Sequence, residues 1–141
     1  MAIRNGRARL VRLEMVAASL GAGIIHFAVA PSHFGEYWLF GAFFFGAGLF
    51  QVATPALLLF TLNPSMVAIS VVVNGLIPLI WLASRTTGLP VGPHPFTAED
   101  VGSADATATV LEVLIVAGGI LLLTSARKGG ERILRGQVIR S

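Results

Sequence analysis

The sequence predicts an all-α integral membrane protein, a four-helix bundle with both termini in the cytoplasm. Three observations predict it. Charged residues make up only 12% of the chain and hydrophobic residues 55%, whereas a soluble domain carries about 25% charged residues to keep its surface wet. The charges avoid four long apolar runs. Nine of the ten Lys and Arg residues lie just outside the first or the last of those runs, where basic residues fix topology at the inner membrane face. Four spans and their connections use residues 1–141 as a single membrane domain.

Crossing a hydrocarbon core of ~30 Å takes about 20 helical residues. The first span is expected over residues 13–30, closed by Pro31. A cleavable leader is the competing reading of this run, because Ala28-Val29-Ala30 resembles a cleavage site. Pro31 directly after the cut and His26 within the apolar core argue against it. The second span, residues 37–62, carries no charge and is long enough to tilt. The third covers residues 65–84, between the Asn63-Pro64 breaker and Arg85, and the fourth covers residues 106–126 around one charge, Glu112.

Arg4, Arg7, Arg9 and Arg12 in the tail 1–12, with Arg127, Lys128, Arg132, Arg135 and Arg140 in the tail 127–141, set the orientation. Both tails are expected inside, and an even number of spans permits this. The 31–36 turn and an external loop of about 20 residues between helices 3 and 4 then face outward, well above the usual connection of about 4–6 residues. That loop holds three prolines and three glycines, and its prolines favour an ordered, extended path. The net charge of +3 and pI near 10.6 arise from these membrane-flanking positions, so the basic residues are expected to meet lipid headgroups and not nucleic acid. The tail segment 131–140 alternates basic residues with Ile133, Leu134, Val138 and Ile139, a pattern expected to lie along the cytoplasmic leaflet.

Small residues cluster on helix 1 (Ala17, Ala18, Gly21, Ala22, Gly23), helix 2 (Gly41, Ala42, Gly46, Ala47, Gly48) and helix 4 (Gly118, Gly119). In lipid, close backbone approach drives helix association, so these mark expected packing faces. Phe43, Phe44, Phe45 and Phe50 are expected to face lipid or fill gaps. Gln51 and Asn74 each stand four residues before a proline, Pro55 and Pro78. A helical proline frees the carbonyl four residues back, so these two amides are expected near two kinks, lining a polar cavity or bonding across helices.

The absence of cysteine removes disulfides, thiolate zinc sites, iron–sulfur clusters and cysteine nucleophiles. No GxGxxG, Walker, HExxH or GxSxG pattern is present, and no enzymatic reaction is assigned. The remaining clue is ionisable residues at membrane depth, which cost about 2.5–3.5 kcal/mol each on an insertion scale. All three histidines and five of the seven acids fall in the predicted outer half. His26 lies roughly 7 Å and Glu112 roughly 9 Å below that face, by helical rise. His33 and Glu36 share a face at i, i+3, as in bundle metal sites. Asp105 and Glu112 share another at i, i+7, about 10 Å apart, which suits two levels of one site.

The expected site is therefore His26, His33, Glu36, Asp105 and Glu112, with His94 contributed from the loop and Arg85 behind it. It would take a divalent metal or a small polar ligand. Imidazole and carboxylate suit Zn²⁺, Cu²⁺, Fe²⁺ or Mn²⁺; one clearly intramembrane histidine does not suit haem. Glu99 and Asp100 are expected to be solvated loop acids, and a structural Glu112–Arg85 pair is the bland alternative. Two other functions compete. One is an accessory or assembly subunit docking on another membrane protein or a copy of itself. The other is a minimal proton- or cation-linked transporter using Glu112.

Overall fold

The computed structural model describes residues 2–60 and 63–138, with side chains described over 6–60 and 63–126. Four helices account for nearly all of them: α1 Ala2–Glu36, α2 Trp38–Phe60, α3 Pro64–Thr86 and α4 Ser103–Val138. Each holds a stretch long and apolar enough to cross a membrane: Gly6–Glu36, Trp38–Phe60, Pro64–Thr86 and Ser103–Ala126. The chain is thus a multi-pass helical membrane protein by length and composition. The basic side chains at Arg4 and beyond Ala126, the expected interfacial segment 131–140, and Thr61 and Leu62 lie outside the described side chains.

Pro31 does not close the first helix. α1 runs through it to Glu36, and its last turn is completed by Tyr37 N–H donating to the His33 carbonyl at 2.9 Å. A proline removes one helical bond, but at membrane depth every other backbone group must still be satisfied within its own segment, which favours continuing the helix. The expected 31–36 turn is consequently absent, and Tyr37 alone separates α1 from α2. At the other corner the breaker works as the sequence implies. Asn63 caps α3, its side-chain oxygen accepting from Ser65 N–H at 2.9 Å, and Pro64 occupies the first turn where its missing donor costs nothing. α3 ends at Thr86 with Thr87 as its C-cap, after which Gly88 turns the chain with φ +70°.

α1 packs along both α2 and α4, and α4 packs along α3. α2 and α3, although consecutive, make few close approaches. The order around the bundle is therefore α2–α1–α4–α3, with a seam between α2 and α3. Glycine decides how close the helices come. A Cβ on Gly23 would lie 3.2 Å from the Gly48 carbonyl, and one on Gly48 would lie 3.1 Å from the Gly23 carbonyl, so α1 and α2 touch backbone to backbone there. Gly118 makes room for Met15 of α1, and Gly119 for Val71 of α3. Gly46 has nothing within 4 Å and serves no such contact.

This contrast is testable. Gly48→Val is expected to separate α1 from α2 at a cost of about 1–3 kcal/mol, the usual scale of overpacking. Gly46→Val is expected to change little. Unfolding curves of the two variants in mixed micelles measure the difference.

Along the bundle axis three layers follow one another. At the end where α2 turns into α3, Met15, Ala18, Leu58, Val67 and Ile115 form the apolar core. A buried polar layer occupies the middle. Toward the end carrying the α3–α4 loop, the helices surround a cavity.

Candidate ligand-binding cavity

Each helix contributes one residue to the polar layer: His26, Gln51, Asn74 and Glu112, between 0% and 3% exposed. Gln51 is the hub. Its side-chain oxygen accepts from His26 Nδ1 at 2.8 Å, and its Nε2 donates to Glu112 Oε1 and to Asn74 Oδ1, each at 2.9 Å. Asn74 Nδ2 in turn donates to the Ser70 carbonyl at 2.9 Å. Both hydrogens and the oxygen of the Gln51 amide are thus used. The backbone is also repaired. Pro55 has no N–H for the Gln51 carbonyl, and Ser19 Oγ of α1 donates to that carbonyl at 2.7 Å. Because Nδ1 of His26 donates to Gln51, its Nε2 is the nitrogen turned toward Glu112, 3.6 Å from Oε1.

Above this layer lies a cavity of about 180 Å³ bounded by all four helices and the loop. His26 and Glu112 form its floor, while Gln51 and Asn74 stand behind them and bond across helices without lining it. Phe40, Phe43 and Phe44 of α2 and Trp81 of α3 make the aromatic walls. His33 stacks on Phe44 with ring centroids 4.2 Å apart. Leu89 and Val91 of the loop, with Arg85 and Asp105, close the top. A wider depression of about 710 Å³ lies between the loop and the α1–α2 corner, lined among others by His33, Glu36, His94 and Asp100.

Arg85 ties the loop down. Its Nη1 donates to Glu99 and its Nη2 to Asp105, and Glu99 N–H donates to the Ser84 carbonyl at 3.0 Å. Glu99 is exposed, as expected of a loop acid, but also pairs with Arg85, and Arg85 pairs with Asp105 and Glu99, not with Glu112. A guanidinium offers donors in a planar fork, which suits two carboxylates arriving from separate directions.

The expected site residues are brought together in part. His26 and Glu112 meet; His33 and Asp105 share their cavity. His33 and Glu36 do share a face, but at the end of α1, where they bond each other at 3.0 Å. His94 lies in the separate depression with Glu36. Among the described residues, no three His, Asp or Glu side chains converge as metal ligands. The reason is that each has a nearer partner: Gln51 for His26 and Glu112, Arg85 for Asp105.

Trp81, which carries no signal in the sequence, matters here beside Arg85, which was expected behind the site. Trp81 and Arg85 stand at i, i+4 on α3, one above the other, and Trp81 Nε1 and Arg85 Nε are both buried without a hydrogen-bond partner. Their spacing was visible in the sequence, but nothing there indicated that Trp81 lines the cavity with Arg85. Ser19 was equally silent, although Pro55 announced that some donor had to serve the Gln51 carbonyl.

The fold and cavity define a class, the multi-pass helical membrane protein with a polar-floored, aromatic-walled chamber. Comparison with protein-family models, with curated proteins and with solved structures finds no match to this chain.

Proposed function

We propose that the protein binds a small organic molecule bearing a hydrogen-bonding group, within the membrane, in the cavity above His26 and Glu112. In this reading both termini are cytoplasmic and the loop end faces outward, as the basic flanks demand. The carrying observation is the chamber itself: apolar and aromatic on its sides, with a buried imidazole and carboxyl at one end. Ligand sites combine apolar walls with a few fixed polar groups in this way. Its size suits one ring, since an apolar cavity of about 150 Å³ takes up benzene. The donor set favours an organic ligand over a divalent metal, because Asp105 is held by Arg85 and the Gln51 amide takes one oxygen of Glu112, which leaves the other for a single hydrogen bond.

The test uses ¹⁹F NMR on protein in nanodiscs. Fluorobenzene and 4-fluorophenol are expected to bind saturably, and Ala108→Phe, which fills the chamber from α4, is expected to abolish both. Glu112→Gln should weaken 4-fluorophenol roughly 5–10-fold relative to fluorobenzene, about 1 kcal/mol, the step from a charged to a neutral acceptor. Unchanged binding to Ala108→Phe would reject the chamber as the site.

A further inference from the structure

We infer that the chamber takes a neutral, ring-sized molecule with a carbonyl oxygen, of the quinone or aryl-ketone kind, whose oxygen accepts from Trp81 Nε1 and Arg85 Nε. This rests on the reading above and specifies the ligand's chemistry.

The two nitrogens carry the argument. Both are buried, both lack a partner, and both belong to residues that line the chamber. Indole and guanidinium N–H groups only donate. Leaving a donor unsatisfied away from water is costly, and native structures do so rarely. Two orphaned donors one helical turn apart therefore call for an acceptor, and a carbonyl oxygen has two lone pairs to offer.

Charge excludes an anionic acceptor. The Arg85 side chain is 10% exposed and is already matched by two carboxylates, Glu99 and Asp105, with Glu112 on the floor beneath. No positive charge is left over for a carboxylate or phosphate group. The walls supply the rest. Phe40, Phe43, Phe44 and Trp81 present aromatic surface, and aromatic rings pack well against one another in offset or edge-on arrangements. Entry follows from the fold. The wall between α2 and α3 consists of side chains on helices that make few close approaches, and this seam is the route assigned to entry from lipid, where a neutral ring compound concentrates.

The experiment uses the full chain in nanodiscs with ¹⁵N-labelled tryptophan. The sequence has two tryptophans, and Trp38→Phe assigns the Trp81 indole signal. Four probes of similar size are compared: acetophenone, isopropylbenzene, benzoate and benzyltrimethylammonium. Acetophenone is expected to move the Trp81 indole proton downfield, and isopropylbenzene to bind without that shift. Trp81→Phe keeps the ring and removes the donor. It should weaken acetophenone about fivefold while leaving isopropylbenzene unchanged, the effect of one neutral hydrogen bond. If acetophenone displaces fluorobenzene but the indole proton stays put, the carbonyl assignment is wrong and the chamber stands. Tighter binding of benzoate or benzyltrimethylammonium than of acetophenone would overturn the neutral class. Failure of every probe, fluorobenzene included, would remove the chamber reading and this inference with it. The indole shift is read on protein with native Trp81, so it decides the matter even where Trp81→Phe folds poorly.

Discussion

Gln51→Leu is expected to destabilise the protein by about 2–4 kcal/mol, far more than any single polar deletion around it. An interhelical hydrogen bond in a membrane protein averages only about 0.6 kcal/mol, and Gln51 makes three through its side chain. Their sum alone is about 2 kcal/mol. The remainder comes from what is left behind. Leucine neither accepts from His26 nor donates to Glu112 and Asn74, all buried, and an unpartnered buried polar group costs about 1–3 kcal/mol. Rearrangement recovers part of that, since Glu112 and His26 lie 3.6 Å apart and can close on each other. Ser19→Ala removes one bond to one carbonyl and is expected to cost under about 1 kcal/mol. Unfolding free energies of the two variants in mixed micelles make the comparison. Equal losses would mean that the four polar residues do not act as a unit.

Arg85→Leu is expected to release the loop and cost about 3 kcal/mol, and most of the effect is assigned to Asp105. The Glu99 side chain is 48% exposed, so its pairing is screened and contributes less than about 1 kcal/mol. Asp105 is 15% exposed, and removing the partner of a nearly buried charge costs about 3–5 kcal/mol before any relaxation toward water. Glu99→Gln should therefore be mild and Asp105→Asn severe. Arg85→Lys is not expected to restore the wild type, because an ammonium lacks the planar fork that reaches both acids. Hydrogen exchange reads the outcome directly. Protection of the Phe96 and Glu99 amides, bonded to Leu89 and Ser84 carbonyls, should fall in Arg85→Leu and Asp105→Asn but persist in Glu99→Gln. Equal loss in both acid variants would contradict this division.

These two predictions involve residues the sequence exposed to different degrees. Gln51 and Asn74 were conspicuous, because uncharged amides beside prolines in apolar runs have few places to go. Their bond to each other is what lipid surroundings demand of buried amides. The His26–Glu112 encounter was legible from depth alone, since helical rise places both at one level. Asp105 and Glu99 were not legible. Spacing puts Asp105 on the face of Glu112, yet its partner arrives from the end of α3, and no periodicity within α4 reports that. Pro31 misled for a related reason: its usual role as a stop reflects a chain that can exchange helix for water, and at membrane depth that exchange is closed.

Hydropathy is a local property, carried by consecutive residues. For that reason the sequence by itself determined that the chain has four helices able to cross a membrane, and that its buried charges lie toward one end of them. Rotation of each helix about its axis is a collective property, set where Gly23 meets Gly48 and where Gly118 admits Met15. Only the tertiary structure decided that Gln51 would join the four helices, that Arg85 would bind the loop acids, and that Trp81 would bury a donor without a partner.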